Sequence, residues 1–147
     1  MSKTQLRVAG KSVQGIAGGL AYGALEIFWR GYTHISMVLL GGICFLLLNR
    51  LSKSNRNLAL LCLVGGVSIT IMELIAGCIL NVWLQLDIWD YSGQMMHLWG
   101  QICPKYFFAW SGLCLAVIPL CRYLNHKLVP LLSQSSAGAA EDILQNL

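Results

Sequence analysis

Four long apolar segments constrain this chain more strongly than any other feature. They run roughly over residues 13–29, 33–51, 57–84 and 95–124. Each is close to the roughly 20 residues that an α-helix needs to cross the hydrocarbon core of a bilayer. Only 11% of the residues are charged, whereas a soluble domain carries about a quarter. We therefore predict an all-α, polytopic membrane protein with four transmembrane helices.

The basic residues collect at one end of this predicted bundle. Eight of the ten Lys and Arg precede the first segment, follow the fourth, or lie between the second and third. By the positive-inside rule this end is cytoplasmic, together with both termini. The expected organisation is a cytoplasmic segment over 1–12, a transmembrane domain over 13–127 and a cytoplasmic tail over 128–147. The expected location is a cell membrane. A nucleic-acid partner is not expected, because no basic stripe lies on a soluble fold.

Two parts of the sequence repeat the same pattern. Gly18–Glu26 and Gly65–Glu73 both have the form GG-x6-E, and Tyr32–Cys44 shares Tyr, Met, Leu, Gly, Ile and Cys with Tyr91–Cys103 at the same offsets. We interpret this as an internal duplication of a helical hairpin. The two copies cover about 13–52 and about 57–124. Because both start inside, they form a parallel repeat about an axis along the membrane normal.

The duplication also predicts how the stretch WDYSGQMMHLWGQICP folds. The fourth helix should begin just after Tyr91, so residues 94–103 form its outer turns and Pro104 kinks it. Asp90 is then the N-cap. The second copy is about twelve residues longer before Tyr91, which should lengthen the third helix or form an amphipathic shelf. Three tryptophans suit the aromatic belt at the outer interface: Trp83, Trp89 and Trp99.

Glu26 and Glu73 occupy equivalent positions in the two copies. A carboxylate in a membrane helix is energetically costly and is a functional candidate by default. If the repeat axis brings the two close together, they require a proton or a cation between them. In the structural alternative, each accepts hydrogen bonds from the start of the following helix, and Arg30 pairs with Glu26 at the i,i+4 spacing. Both interpretations stay open at this point.

A polar pocket in the outer half of the bilayer is expected around these two carboxylates. Its candidate ligand-binding or proton-linked residues are Glu26, Glu73, Arg30, His34, Asp90, Tyr91 and His97. Histidine is a common metal ligand, but no metal-binding spacing accompanies these two histidines, so we predict no metal site. Such a pocket suits a cationic or amphipathic small ligand, or protons. The sequence assigns no cofactor.

Glycines recur every four residues in the first segment, at Gly15, Gly19 and Gly23. A face of this kind lets two helix backbones approach closely within lipid. We therefore predict that these glycines pack the first helix against a neighbour.

The segments LEIFWR, IMELIAG and WDYS…GQIC…W resemble the CmpB-like ABC-transporter permease family. The resemblance extends from about Gly15 to Cys121 and is weakest at residues 94–97. It implies a small multi-pass membrane protein linked to transport. The sequence contains no ATPase signature, so an ATP-driven role would need a partner.

Three functions remain possible from the sequence. The first is a transport-related protein, such as a binding or accessory subunit of a transporter, with another subunit or a second copy as partner. The second is a membrane-embedded enzyme acting on a lipid or small metabolite, with Glu73 or His97 as acid or base and Cys103 as nucleophile. The third is a structural or assembly protein whose polar cluster locks the bundle.

Overall fold

The computed structural model describes the backbone of residues 3–145 and the side chains of residues 10–127. Within this range the chain is all-helical, as predicted. Its helices are α1 (Lys3–Arg30), α2 (Ile35–Ser52), α3 (Leu58–Gly77) and α4 (Pro104–Gln145). A π-helical segment, Cys78–Trp83, continues α3. The side chains of the predicted tail, from residue 128 onward, lie outside the described residues.

Local sequence signals explain where the helices start and stop. Gly31, with φ of +81°, takes the left-handed conformation that commonly ends a helix, and α1 stops just before it. The side chain of His34 caps α2, and that of Asn57 caps α3 by accepting from the amide of Ala59 at 2.8 Å. Pro104 opens α4, a position where the missing N–H of proline has no consequence.

The helices form two antiparallel hairpins. Helix α1 packs against α2, α3 packs against α4, and α2 also contacts α3 and α4. Among the described backbones, α1 approaches only α2 closely. We call the end with the 31–34 and 84–103 connections the upper end, and the end with the 53–57 connection the lower end. Two hairpins fit the predicted duplication, although the repeat itself stays a prediction.

The first hairpin is held by close backbone contact. A Cβ added to Gly19 would lie 2.4 Å from the carbonyl oxygen of Val38, and one added to Gly42 would lie 2.6 Å from that of Gly15. These two contacts are reciprocal, since each helix presents a glycine to the backbone of the other. Gly23 also faces α2, where an added Cβ would lie 2.9 Å from a methyl group of Val38. Small residues therefore bring α1 and α2 together, as in other membrane helix pairs.

Large apolar side chains point outward from all four helices. Leu20, Leu39, Leu63 and Leu115 are examples, one from each helix. Three helices are long and apolar enough to cross a membrane: Ile35–Ser52, Leu58–Trp83 and Pro104–Lys127. Helix α1 does not reach that hydropathy over its described residues. A fourth span and the orientation of the termini therefore stay predictions.

The structure corrects the prediction for the fourth helix. Residues 94–103 are not helical, and Pro104 is the first residue of α4 rather than a kink within it. Proline disfavours the α conformation in the residue before it, which prevents α4 from extending back towards Tyr91. Asp90 is consequently not an N-cap of α4. Trp83 and Trp99 are exposed, but Trp89 is buried inside the 84–103 loop rather than facing lipid.

Candidate functional site

Glu73 is a buried carboxylate that has only neutral partners among the described residues. Its side chain lies on α3 and is 3% exposed. One carboxylate oxygen, Oε1, accepts from the Tyr91 hydroxyl at 2.8 Å, and the other, Oε2, accepts from Trp110 Nε1 at 2.9 Å. No ion pair to Glu73 is seen in the described part of the chain. A charge held within a membrane helix costs about 3 kcal/mol or more, and the two hydrogen bonds offset part of that cost for this carboxylate.

Aromatic rings surround this carboxylate. Tyr91 stacks on Tyr106 with ring centroids 4.2 Å apart, and Trp110 lies 6.3 Å from Tyr106 and 6.2 Å from Tyr22. The rings come from α1, α4 and the 84–103 loop. Burial raises the pKa of the Tyr91 phenol, and the nearby Glu73 carboxylate raises it further. Tyr91 is therefore held in the protonated form that donates to Glu73.

A cavity of about 200 Å³ lies beside Glu73 and is lined by residues from all four helices. Its wall is largely apolar, with Leu25, Phe45 and Val117 among the lining residues. Glu73 is the one charged side chain in this lining. The cavity thus differs from the polar pocket that the sequence predicts, because none of the other predicted site residues lines it in the described part of the chain.

Glu26 has a different environment from Glu73, although the two are equivalent in the predicted repeat. One of its carboxylate oxygens, Oε1, lies 3.2 Å from Arg30 Nη2, and the other accepts from the Thr33 hydroxyl. Arg30 in turn donates to the carbonyl of Ile88 at 3.3 Å. Glu26 therefore closes the turn between α1 and α2 and orients Arg30 towards the 84–103 loop. No contact between Glu26 and Glu73 appears among the described residues.

The other three predicted site residues take part in local turns. The Nδ1 atom of His34 accepts from the amide of Ser36, and that of His97 accepts from the amide of Gly100 at 3.1 Å. Asp90 accepts from both the hydroxyl and the amide of Ser92. Those two hydrogen bonds, the hydroxyl first, lower the pKa of Asp90. All three side chains are exposed, and none of them lines the cavity beside Glu73.

The arrangement expected for an enzyme is not found among the described contacts. Cys103 is buried, whereas His97 is exposed and bonded to Gly100. No hydrogen bond joins the two in the described part of the chain. No group of three or more His, Cys, Asp or Glu side chains that could hold a metal ion occurs among residues with described side chains.

Asn81 organises the 84–103 loop, which sequence reasoning did not predict. Its Nδ2 donates to the carbonyl of Trp89 at 2.9 Å and to Gln101 Oε1 at 2.8 Å, while its Oδ1 accepts from the amide of Ile88 at 2.8 Å. The Trp89 indole then donates to the carbonyl of Gln101 at 3.1 Å. The position of Asn81 deep inside the apolar third segment was the available signal, because a polar side chain in lipid needs a partner.

The loop holds several residues in conformations that the backbone normally avoids. Four non-glycine residues have positive φ: Gln85, Asp87, Met96 and Trp99. Each such residue costs on the order of 1 kcal/mol or more unless its surroundings impose it. Gly100 also has positive φ, and a Cβ there would lie 2.7 Å from Asp90 Oδ1. The 84–103 loop is therefore a defined structure that covers the upper ends of α3 and α4.

A family model described as "Putative ABC-transporter type IV" matches residues 18–141. The chain belongs to this family. The match includes α1 from residue 18 onward, α2, α3, the 84–103 loop and most of α4, and it confirms the resemblance seen in the sequence. No curated protein and no solved structure matches the chain. Family membership and three apolar helices together indicate a membrane protein with a possible link to transport.

Proposed function

We propose that this chain is the membrane-embedded, ligand-binding subunit of a transporter. The observation that carries the proposal is the position of Glu73, the one charged side chain in the wall of an apolar cavity that all four helices line. In this proposal all four helices span a bacterial plasma membrane as two tandem repeats. The upper end faces outward, and both termini are cytoplasmic, as the distribution of Lys and Arg indicates.

The chemistry of the cavity favours a lipophilic cation, with a proton as the alternative occupant of Glu73. The apolar wall suits an apolar body, and the carboxylate, which lacks a cationic partner among the described residues, suits a positive charge. Tyr22 and Trp110 also line the cavity, and aromatic faces attract cations. Tyr91 and Trp110 would orient the carboxylate towards the ligand.

The remaining candidates have supporting roles in this proposal. Glu26 and Arg30 hold the α1–α2 turn and the 84–103 loop. His34, Asp90 and His97 lie at the upper rim, where an entering ligand would pass. Helix α1 closely approaches only α2 among the described backbones, so in this proposal a ligand could also enter laterally between α1 and α4, past Tyr22 and Trp110.

The energy source in this proposal is a separate subunit. Family membership supports a transport role, and the sequence lacks the Walker A pattern that cradles nucleotide phosphates. A partner with ATPase activity, or a second copy of this chain, would complete the transporter.

Binding of tetraphenylphosphonium, a lipophilic cation, tests the ligand site. Purified protein in detergent should bind it, and Glu73→Gln should raise the Kd about tenfold or more. Asp87→Asn is the control: it also converts a carboxylate to an amide, at an exposed position that does not line the cavity, and it should leave the Kd nearly unchanged. Equal binding by the wild type and Glu73→Gln would contradict the proposed site.

Reconstitution tests the proposal that the chain is one subunit of a larger machine. Proteoliposomes containing only this chain should bind tetraphenylphosphonium without ATP-driven accumulation of it. Accumulation driven by ATP in the absence of any other protein would show that the chain is not merely a binding subunit.

A further inference from the structure

The lower end of the bundle is fixed by a polar cluster that joins three helices. Asn125 on α4 donates to Asn49 Oδ1 on α2 at 2.7 Å, and Asn49 Nδ2 donates to Gln14 Oε1 on α1 at 2.8 Å. The hydroxyl of Ser52 donates to the carbonyl of Asn49. These bonds set the position of α4 relative to the end of α2.

Arg122 fixes the 53–57 connection from within this frame. Its Nε donates to the carbonyl of Ser52 at 3.1 Å, and its Nη2 donates to the carbonyls of Ser54 at 3.0 Å and Arg56 at 3.4 Å. The guanidinium thereby satisfies a carbonyl at the end of α2. The described contacts do not use Nη1, so its two hydrogens are free to reach a ligand.

A cavity of about 330 Å³ opens beside this guanidinium. Residues 52–56, Arg122 and His126 line it, so three permanent positive charges and one imidazole face the same space. No carboxylate lines the cavity among the described residues, and no ion pair involves Lys53 or Arg56 there. The cavity is thus a cationic site whose charges have no described anionic partner.

We propose that this cavity binds the phosphate group of an anionic phospholipid. Guanidinium groups match phosphate oxygens in geometry and charge, and the Arg122 guanidinium is held in place by the backbone. The site lies where α2 ends at Ser52 and the apolar part of α4 ends at Lys127, which is the level of the lipid headgroups. Basic pockets between membrane helices bind anionic headgroups in this way. The positive-inside rule accounts for basic residues at this end but does not require them to line one cavity. This inference does not depend on the Glu73 site.

Native mass spectrometry of the full chain with dioleoyl phosphatidylglycerol tests the proposal. The double variant Lys53→Gln/Arg56→Gln should weaken lipid binding about tenfold. The matched control Arg50→Gln/Lys127→Gln removes the same charge from the same end, outside the cavity lining, and should change binding less than about twofold. Equal weakening by the two double variants would overturn the site, since binding would then follow total charge.

Two further ligands distinguish the source of the phosphate. The zwitterionic lipid dioleoyl phosphatidylcholine should bind more weakly than phosphatidylglycerol to the wild type, and the Lys53→Gln/Arg56→Gln variant should lose that preference. Inorganic phosphate should not displace bound phosphatidylglycerol at comparable concentration. Full displacement by inorganic phosphate would overturn the lipid assignment in favour of a soluble phosphate compound.

Discussion

The Tyr91 hydroxyl donates to Glu73 Oε1 at 2.8 Å, so the 84–103 loop is bonded directly to the buried carboxylate of α3. The same carboxylate faces the cavity between the hairpins. Any change in the charge of Glu73, through a proton or a ligand, therefore changes the acceptor of a hydrogen bond from the loop. This hydrogen bond joins the carboxylate beside the cavity to the loop at the upper end.

The first prediction concerns the pH dependence of this bond. The pKa of Tyr91 is raised in the folded protein. The contribution of this phenol to stability is therefore fully present below its unfolded-state pKa of about 10, and it falls as the pH rises above that value. Tyr91→Phe should lower the free energy of unfolding by about 1 kcal/mol at neutral pH. It should also make the free energy of unfolding fall less steeply with pH in the alkaline range. Denaturation in detergent at several pH values measures both. Tyr32→Phe, at the position that the predicted repeat aligns with Tyr91 but exposed, is the control and should lower the free energy of unfolding at neutral pH by less than Tyr91→Phe does.

The second prediction concerns the contact between α1 and α2. Gly19→Ala places a methyl group 2.4 Å from the Val38 carbonyl oxygen, so the helices must separate, at a cost of about 1–3 kcal/mol. Gly112→Ala is the control on α4, where nothing lies within 4 Å of the added Cβ. It should be neutral or stabilise by up to about 1 kcal/mol. Thermal unfolding in one detergent compares the two, and an equal loss for both would exclude the close contact as the cause.

The third prediction concerns Asn81. Asn81→Leu removes three hydrogen bonds that hold the loop and should cost about 2 kcal/mol or more. Hydrogen exchange at the amide of Ile88 should become faster, because that amide donates to Asn81. Thr70→Val serves as the control on α3, since its buried hydroxyl has no hydrogen-bond partner among the described residues and its removal should not destabilise the protein. Unchanged exchange in Asn81→Leu would show that the loop is held by other contacts.

The fourth prediction concerns the pair of Glu26 and Arg30. The two side chains lie 3.2 Å apart, with Glu26 buried and Arg30 partly exposed. A double-mutant cycle with Glu26→Gln and Arg30→Gln should give a coupling energy of about 1 kcal/mol or more. Both single variants should also speed proteolysis of the 84–103 loop, because Arg30 donates to the carbonyl of Ile88. If the effects of the two substitutions on the free energy of unfolding were additive, Glu26 and Arg30 would not be energetically coupled.

The sequence was sufficient to predict the helical architecture, because apolar length and sparse charge are properties of each segment alone. The third helix also follows from local signals, since the predicted segment 57–84 matches α3 together with its π-helical continuation. The start of α4 was placed too early because the alignment with Tyr32–Cys44 carried a helix into residues that fold as a loop. Pro104 was the local sign of the true start.

The partners of the two carboxylates were harder to predict. Arg30 lies one helical turn from Glu26, and that pair follows from spacing alone. Trp110 lies 37 residues from Glu73, so only the packing of α3 against α4 brings them together. The loop conformation similarly depends on bonds from Asn81 to residues that are distant in sequence. Neither arrangement is encoded in a local pattern.

The π-helical segment Cys78–Trp83 has a further consequence for how this chain tolerates changes in length. A π-turn accommodates an extra residue within a helix, and each residue removed from an α-helix rotates everything beyond it by about 100°. A one-residue deletion in α3 that the π-turn did not absorb would shorten the chain by less than one per cent and yet turn Asn81 away from the loop. The conformation of the 84–103 loop thus depends on the rotation of a single helical turn, which sets the direction of the Asn81 side chain.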